Sequence, residues 1–297
     1  MLSIHHTAMG ADSASSAIIL ALVLASFLYL RGWHCLHESP MNAIPGWRLA
    51  SFLLGMSLVW GALASPLVAY DHELLTVHMI QHLLLMTFAP ALILLGEPLL
   101  AFWHGLPRFG KVALGPLFRV PLVQSFARVL CLPSFCWIVS ALTLMGWHLP
   151  VVFALGMHSE VWHSVEQATF LGAGFLFWWP VVQAWPSVSR GPRWSTLLYL
   201  FLATLPCDIL SGFLVFSDRV AYPLFFTMPR RFGFSVLQDQ QCAAALMWTC
   251  ITVVYLLPAA IISVRLLAPQ TSDGHDSMRS QPDRAVPRID SQSLGVV

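Results

Sequence analysis

The stretch HMIQHLLLMTFAPALILLGEPLLAF (78–102) decides the fold. It opens on two histidines four residues apart and then stays apolar for about 20 residues, the length an α-helix needs to cross the hydrocarbon core of a bilayer. The whole chain has the same character. Of its 297 residues 57% are hydrophobic and 10% charged, against roughly 25% charged in a typical soluble domain. A mean hydropathy of +0.72 exceeds what one soluble core requires. These figures exclude disordered, collagenous and disulfide-scaffold classes and read as an integral membrane protein.

Outward from 78–102, six further stretches are apolar enough to span: 14–31, 48–69, 129–149, 164–185, 194–217 and 242–267. The expectation is an all-α, polytopic membrane helix bundle with seven transmembrane helices. The first is not read as a cleavable signal, because residues 1–16 carry no Lys or Arg to form a positive n-region. Placing the N-terminus outside puts twelve of the fifteen Lys and Arg residues on the inner side, leaving Arg219, Arg230 and Arg231 outside. The positive-inside rule therefore predicts N-out/C-in. Residues 1–13 form an outer N-terminal segment, 14–267 the membrane domain, and 268–297, rich in Ser, Asp, Pro, Arg and Gln, a disordered cytoplasmic tail. The basic connection 103–128 is expected along the inner surface.

Six cysteines are scattered without a C-x-x-C pair, which fits buried membrane thiols better than disulfides. No nucleotide-binding or hydrolase signature stands where its mechanism needs it. No basic block of nucleic-acid type occurs either.

Histidines carry the chemistry. His78 and His82, at i and i+4, share one helix face. If that helix starts near 71, Asp71 joins them at i+7, and Met86 follows one turn deeper. Imidazole suits copper or zinc, and a thioether selects Cu(I). The plain alternative is two imidazoles hydrogen-bonded between helices. Other segments bring similar groups to the same outer level: Trp147-His148 at the end of the fourth span, His163 with Glu166 and Gln167 at the start of the fifth, and Asp239-Gln240 followed by Cys242 before the seventh. That convergence favours a metal site. Asp208 within the sixth span, the single Glu160-x-x-His163 and the N-terminal Met1, His5, His6 and Met9 are weaker candidates.

At these residues the chain resembles the CtaG-type cytochrome c oxidase assembly factors, a family of seven-span bacterial membrane proteins. The matching stretches are 78–99, GWHLP (146–150), WHSVEQATFLGAGFLFWWPVV (162–182), DILSGFLVFSDRVAYP (208–223) and LQDQQCAAALMW (237–248). The resemblance implies a multi-pass protein of the bacterial cytoplasmic (inner) membrane that matures a haem-copper oxidase. Its partners would be oxidase subunits and a soluble copper donor, and its task supplying copper on the periplasmic face. It carries over to His78, His82, His148, His163, Asp239 and Gln240. Two departures stand out: Glu166-Gln167 where Glu-His is expected, and Cys242-Ala243-Ala244 where Gly-Gly is.

The leading expectation is a non-enzymatic factor holding Cu(I) transiently, because transfer needs an open, low-coordinate site. His78 and His82 would anchor the ion, His148 or His163 would exchange, and Asp239 would orient an imidazole N–H. A seven-helix zinc hydrolase, a haem-handling protein with two axial histidines and a metal-free assembly scaffold are the alternatives.

Overall fold

The computed structural model describes residues 2–38, 44–182, 192–229 and 233–267, with side chains from Ser16 onward except that of Arg193. The expected tail at 268–297, the His5 and His6 side chains, and Arg190, Arg230 and Arg231 lie outside the described residues.

Every described element is helical. The long helices are α1 (Leu2–His37), α2 (Gly46–Leu63), α3 (Leu75–Leu83) continuing through a π turn (Leu84–Phe88) into α4 (Ala89–Leu95), and the shorter α5 (Pro98–Gly105), α6 (Arg108–Leu114) and α7 (Pro121–Leu130). Then come α8 (Pro133–Trp147), α9 (Pro150–His158), α10 (Glu160–Val182), α11 (Arg193–Phe216) and α12 (Val236–Leu267). Prolines open α5, α7, α8 and α9, where the missing N–H has no intrahelical acceptor to lose and φ is already helical.

Five stretches are long and apolar enough to cross a membrane: Ser16–His37, Gly46–Tyr70, Leu75–Leu95, Trp194–Phe216 and Val236–Leu267. A sixth results if α7 and α8, bent by 63° to each other, form one broken span. The expected seven therefore meet five or six by length and composition. Helix α10 has 23 residues, enough to span, but Glu160, His163, Glu166 and Gln167 dilute its first two turns.

The third predicted span ends earlier than 102. Helix α4 stops at Leu95, and Glu97 takes a left-handed conformation (φ 54°) before Pro98 starts α5. A non-glycine residue there costs about 1–3 kcal/mol. The surroundings offset that cost: Arg48 forms an ion pair with Glu97 at 2.9 Å, and the Tyr29 hydroxyl donates to the Gly96 carbonyl at 2.7 Å. The 103–128 connection contains α6 and part of α7 rather than extended chain.

In the core, α12 packs against α11 and α3, α10 against α8, α4 and the π turn, and α2 against α4. The π turn follows His82 directly. Pro90 has no N–H for the Met86 carbonyl four residues before it, and a widened turn is the usual accommodation of such a defect. Gly174 of α10 packs on this widened turn; a Cβ there would lie 2.5 Å from the Met86 oxygen. Absence of a side chain at 174 is what lets α10 approach the histidine helix.

Candidate metal centre

One end of the bundle gathers the starts of α3, α10 and α12 and the end of α8. There His78, His82 and Glu166 are buried together. The Nε2 atoms of His78 and His82 lie 2.8 Å apart, and Glu166 Oε1 is 3.6 Å from the first and 3.3 Å from the second. A point equidistant from these three atoms is about 1.9 Å from each, close to the roughly 2.0–2.1 Å of an imidazole–zinc bond. Two imidazole nitrogens and one carboxylate oxygen thus converge on a single ion-sized position.

The rest of the group deepens the picture. Neither oxygen of Glu166 has a well-formed hydrogen bond, although a buried carboxylate needs partners or a cation. His163 links this group to a second one. Its Nδ1 is 3.4 Å from Glu166 Oε2 and its Nε2 is 3.2 Å from Asp71 Oδ2, while the Gln167 amide lies 2.8 Å from the same Nε2. Asp71 Oδ1 in turn is 3.6 Å from His72 Nε2, on a side chain that is 47% exposed. Asp71, His72 and His163 therefore form a second metal-capable set, reaching from the surface to the buried one.

Phe153 and Phe170 wall the buried set against the His78 and His82 rings. Gly156 makes room for Glu166, whose Oε2 would lie 2.9 Å from a Cβ at that position.

Asp71 is fully buried but is not helical. A 3₁₀ turn (Pro66–Tyr70) precedes it and α3 begins only at Leu75, which corrects the expected helix start near 71. Gln81 Nε2 donates to Asp71 Oδ2 at 3.1 Å. Burial alone would raise the Asp71 carboxyl, but the hydrogen bond from His163 and the nearby imidazoles outweigh it and hold it below its ordinary value. His72 is held below the ordinary imidazole value, chiefly by partial burial, against the pull of Asp71.

Asp239 does something other than orient an imidazole. Its carboxylate accepts from the Leu75 N–H at 2.8 Å, the Thr76 N–H at 3.1 Å and the Thr76 hydroxyl at 2.6 Å. It caps the start of α3 from α12, satisfying donors that a helix N-terminus leaves free and placing negative charge at the positive end of its dipole. The effect on His78 is through helix position. Gln240 ties the preceding loop in the same way, accepting from the Ala221 N–H at 2.7 Å and donating to Leu214 O.

His148 lies beside the buried set and belongs to neither group. Its Nδ1 is 2.7 Å from the Leu144 carbonyl and its Nε2 3.4 Å from Met79 Sδ. Cys242 is exposed, Asp208 half-buried and Glu160 exposed, and none of them joins either group. Glu166 and Asp71 are the ligand candidates that the residue pattern flagged without ranking them with the histidines. A carboxylate three residues after His163, on the same face, was the available signal.

A family model for cytochrome c oxidase caa3 assembly factors matches residues 27–268, and the chain belongs to that family. Two curated relatives, uncharacterized proteins of Mycobacterium bovis and Mycobacterium tuberculosis, are each 24% identical over 258 residues, covering 85% of this chain. The chain spans 38% of the length of those relatives. No solved structure matches.

Proposed function

We propose that the protein assists assembly of a cytochrome c oxidase by holding a copper ion and passing it to an oxidase subunit, without catalysing a covalent reaction. The ion is cargo. The observation that carries this reading is the convergence of His78 Nε2, His82 Nε2 and Glu166 Oε1 on one ion-sized point. Three ligands leave an open position, which transfer by ligand exchange requires. His163, Asp71 and His72 form the approach, with His72 at the surface.

In this proposal α10 and the α7–α8 pair complete seven spans of a bacterial cytoplasmic membrane. With the N-terminus outside, the cluster faces the periplasm, where oxidase subunits and a soluble copper donor are within reach. The family to which the chain belongs and the excess of basic residues in the inner loops support this arrangement.

A zinc hydrolase is the second reading, because two histidines and a glutamate are also a catalytic zinc set. It predicts zinc that resists chelation and cleavage of a lipid amide or ester. The thioether beside His148 favours copper, since Met sulfur selects Cu(I) over Zn(II).

The test is to express the His78→Ala/His82→Ala double variant in place of the parent and measure copper and haem in the purified oxidase. The expected result is an assembled oxidase whose copper-to-haem ratio falls several-fold. An unchanged ratio at normal oxidase yield would overturn the metal role. Loss of the oxidase polypeptides themselves with the ratio intact would point to a scaffold.

A further inference from the structure

A third group of metal-capable atoms, separate from the Asp71–His72–His163 set, lies immediately beyond the His–Glu set, and its chemistry is different. The His148 Nδ1 atom faces the Leu144 carbonyl at 2.7 Å. A carbonyl oxygen only accepts, so Nδ1 carries the hydrogen. In the tautomer that this contact selects, Nε2 presents a bare lone pair. That lone pair points at Met79 Sδ, 3.4 Å away, and a thioether has no hydrogen to donate. Two acceptors therefore face each other with no proton between them, on residues that are 5% and 2% exposed.

A soft cation resolves such a contact. A ring Nδ1–H donated to a backbone carbonyl is also the usual outer-shell support of a metal-binding imidazole. The contact borders a small cavity that Met86 and Met247 also line, together with His82. Three methionines, whose thioethers are soft donors, and two histidines line it, with no carboxylate among the lining residues. His82 belongs to both places: its Nε2 is a corner of the His–Glu triangle, and its ring centre is 6.1 Å from that of His148.

We propose that Met79 Sδ and His148 Nε2 form a second, sulfur-containing Cu(I) position, with Met86 or Met247 as third donor. The ion exchanges between it and the His78–His82–Glu166 position by way of His82. Copper stays Cu(I) throughout: imidazole and thioether replace imidazole and carboxylate as ligands, and no electron moves. The outer set, with its carboxylate, accepts several metals; the inner set excludes zinc and retains Cu(I) or Ag(I). Together they filter cargo by softness. The inference takes the nature of the cargo from the proposed function, and its test separates the two.

The experiment is X-ray absorption spectroscopy on the detergent-purified full chain loaded with Cu(I), and separately with Ag(I), in the parent, in Met79→Leu and in Glu166→Gln. Met79→Leu conserves side-chain volume while removing the sulfur. The parent and Glu166→Gln are expected to show a sulfur shell. Met79→Leu should lose that shell and bind Ag(I) at least about 10-fold more weakly, with zinc binding unaltered. A spectrum of the parent without sulfur, or a sulfur shell unchanged in Met79→Leu, would overturn the proposal. A sulfur shell in the parent with no nitrogen- or oxygen-bound metal lost in Glu166→Gln would instead overturn the outer site and leave this one standing. Should Met79→Leu fail to fold, the selenomethionine-labelled parent decides: metal–selenium scattering is expected, and its absence is contrary.

Discussion

Glu166→Gln is expected to lower the affinity of the purified protein for a cuprous or divalent ion at least about 100-fold, since altering even an outer-shell partner typically costs 10–100-fold. Oε1 of Glu166 is the third corner of the ligand triangle, and Oε2 faces His163. Glutamine keeps the shape, fits beside Gly156 and removes the charge that balances a bound cation. The helices should therefore stay in place while metal binding collapses. Glu166→Ala is the harsher change. It takes the one carboxylate out of a buried polar cluster and leaves neighbouring polar groups without it, which costs about 1–3 kcal/mol. Competition against a chromophoric chelator reads the first effect and thermal unfolding in detergent the second. A glutamine variant that binds metal like the parent would remove Glu166 from the ligand set.

The second large effect comes from a residue that touches no ligand. Gly174→Leu should drive α10 away from the π turn, because even a Cβ at this position would lie 2.5 Å from the Met86 oxygen and 2.7 Å from Pro90 Cγ. The obstructing atoms include backbone, which cannot rotate aside. Overpacking of this kind costs about 1–3 kcal/mol. The functional loss should exceed what that figure implies, since α10 carries both His163 and Glu166, while α3, just before the π turn, carries His78 and His82. A shift of about 1 Å between them undoes geometry on which a ligand set depends. The expected outcome is a folded protein with a lowered Tm and weakened metal binding. Gly172→Leu is the control, since nothing lies within 4 Å of a Cβ there. Equal behaviour of the two variants would count against the close approach.

Local periodicity was enough to pair His78 with His82 and to put Glu166 on the face of His163, since both are one-helix relations at i, i+4 and i, i+3. Relations between helices were beyond it. Asp239 stood beside the other outer-rim polar groups in the chain pattern, but its partners are the backbone donors of Leu75 and Thr76, more than 160 residues earlier. Helix capping across a bundle leaves no spacing to read. Asp71 reaches the cluster from a turn, so the helical i+7 rule was the wrong ruler for the right residue. The His148–Met79 contact pairs an imidazole with a side chain that reads as ordinary apolar core. The π turn lies where Pro90 withholds a helical donor and Gly174 of a distant helix packs closely, a pairing no local spacing displays, and α10's polar first turns hide a helix long enough to span.

The central claim, that the histidine cluster holds copper, is tested most directly by elemental analysis of the detergent-purified protein after Cu(I) loading under reducing conditions, beside the His78→Ala/His82→Ala variant. The account predicts copper retained by the parent and lost from the His–Glu position in the variant. Equal copper in both proteins, no metal in either, or tightly held zinc in its place would contradict it.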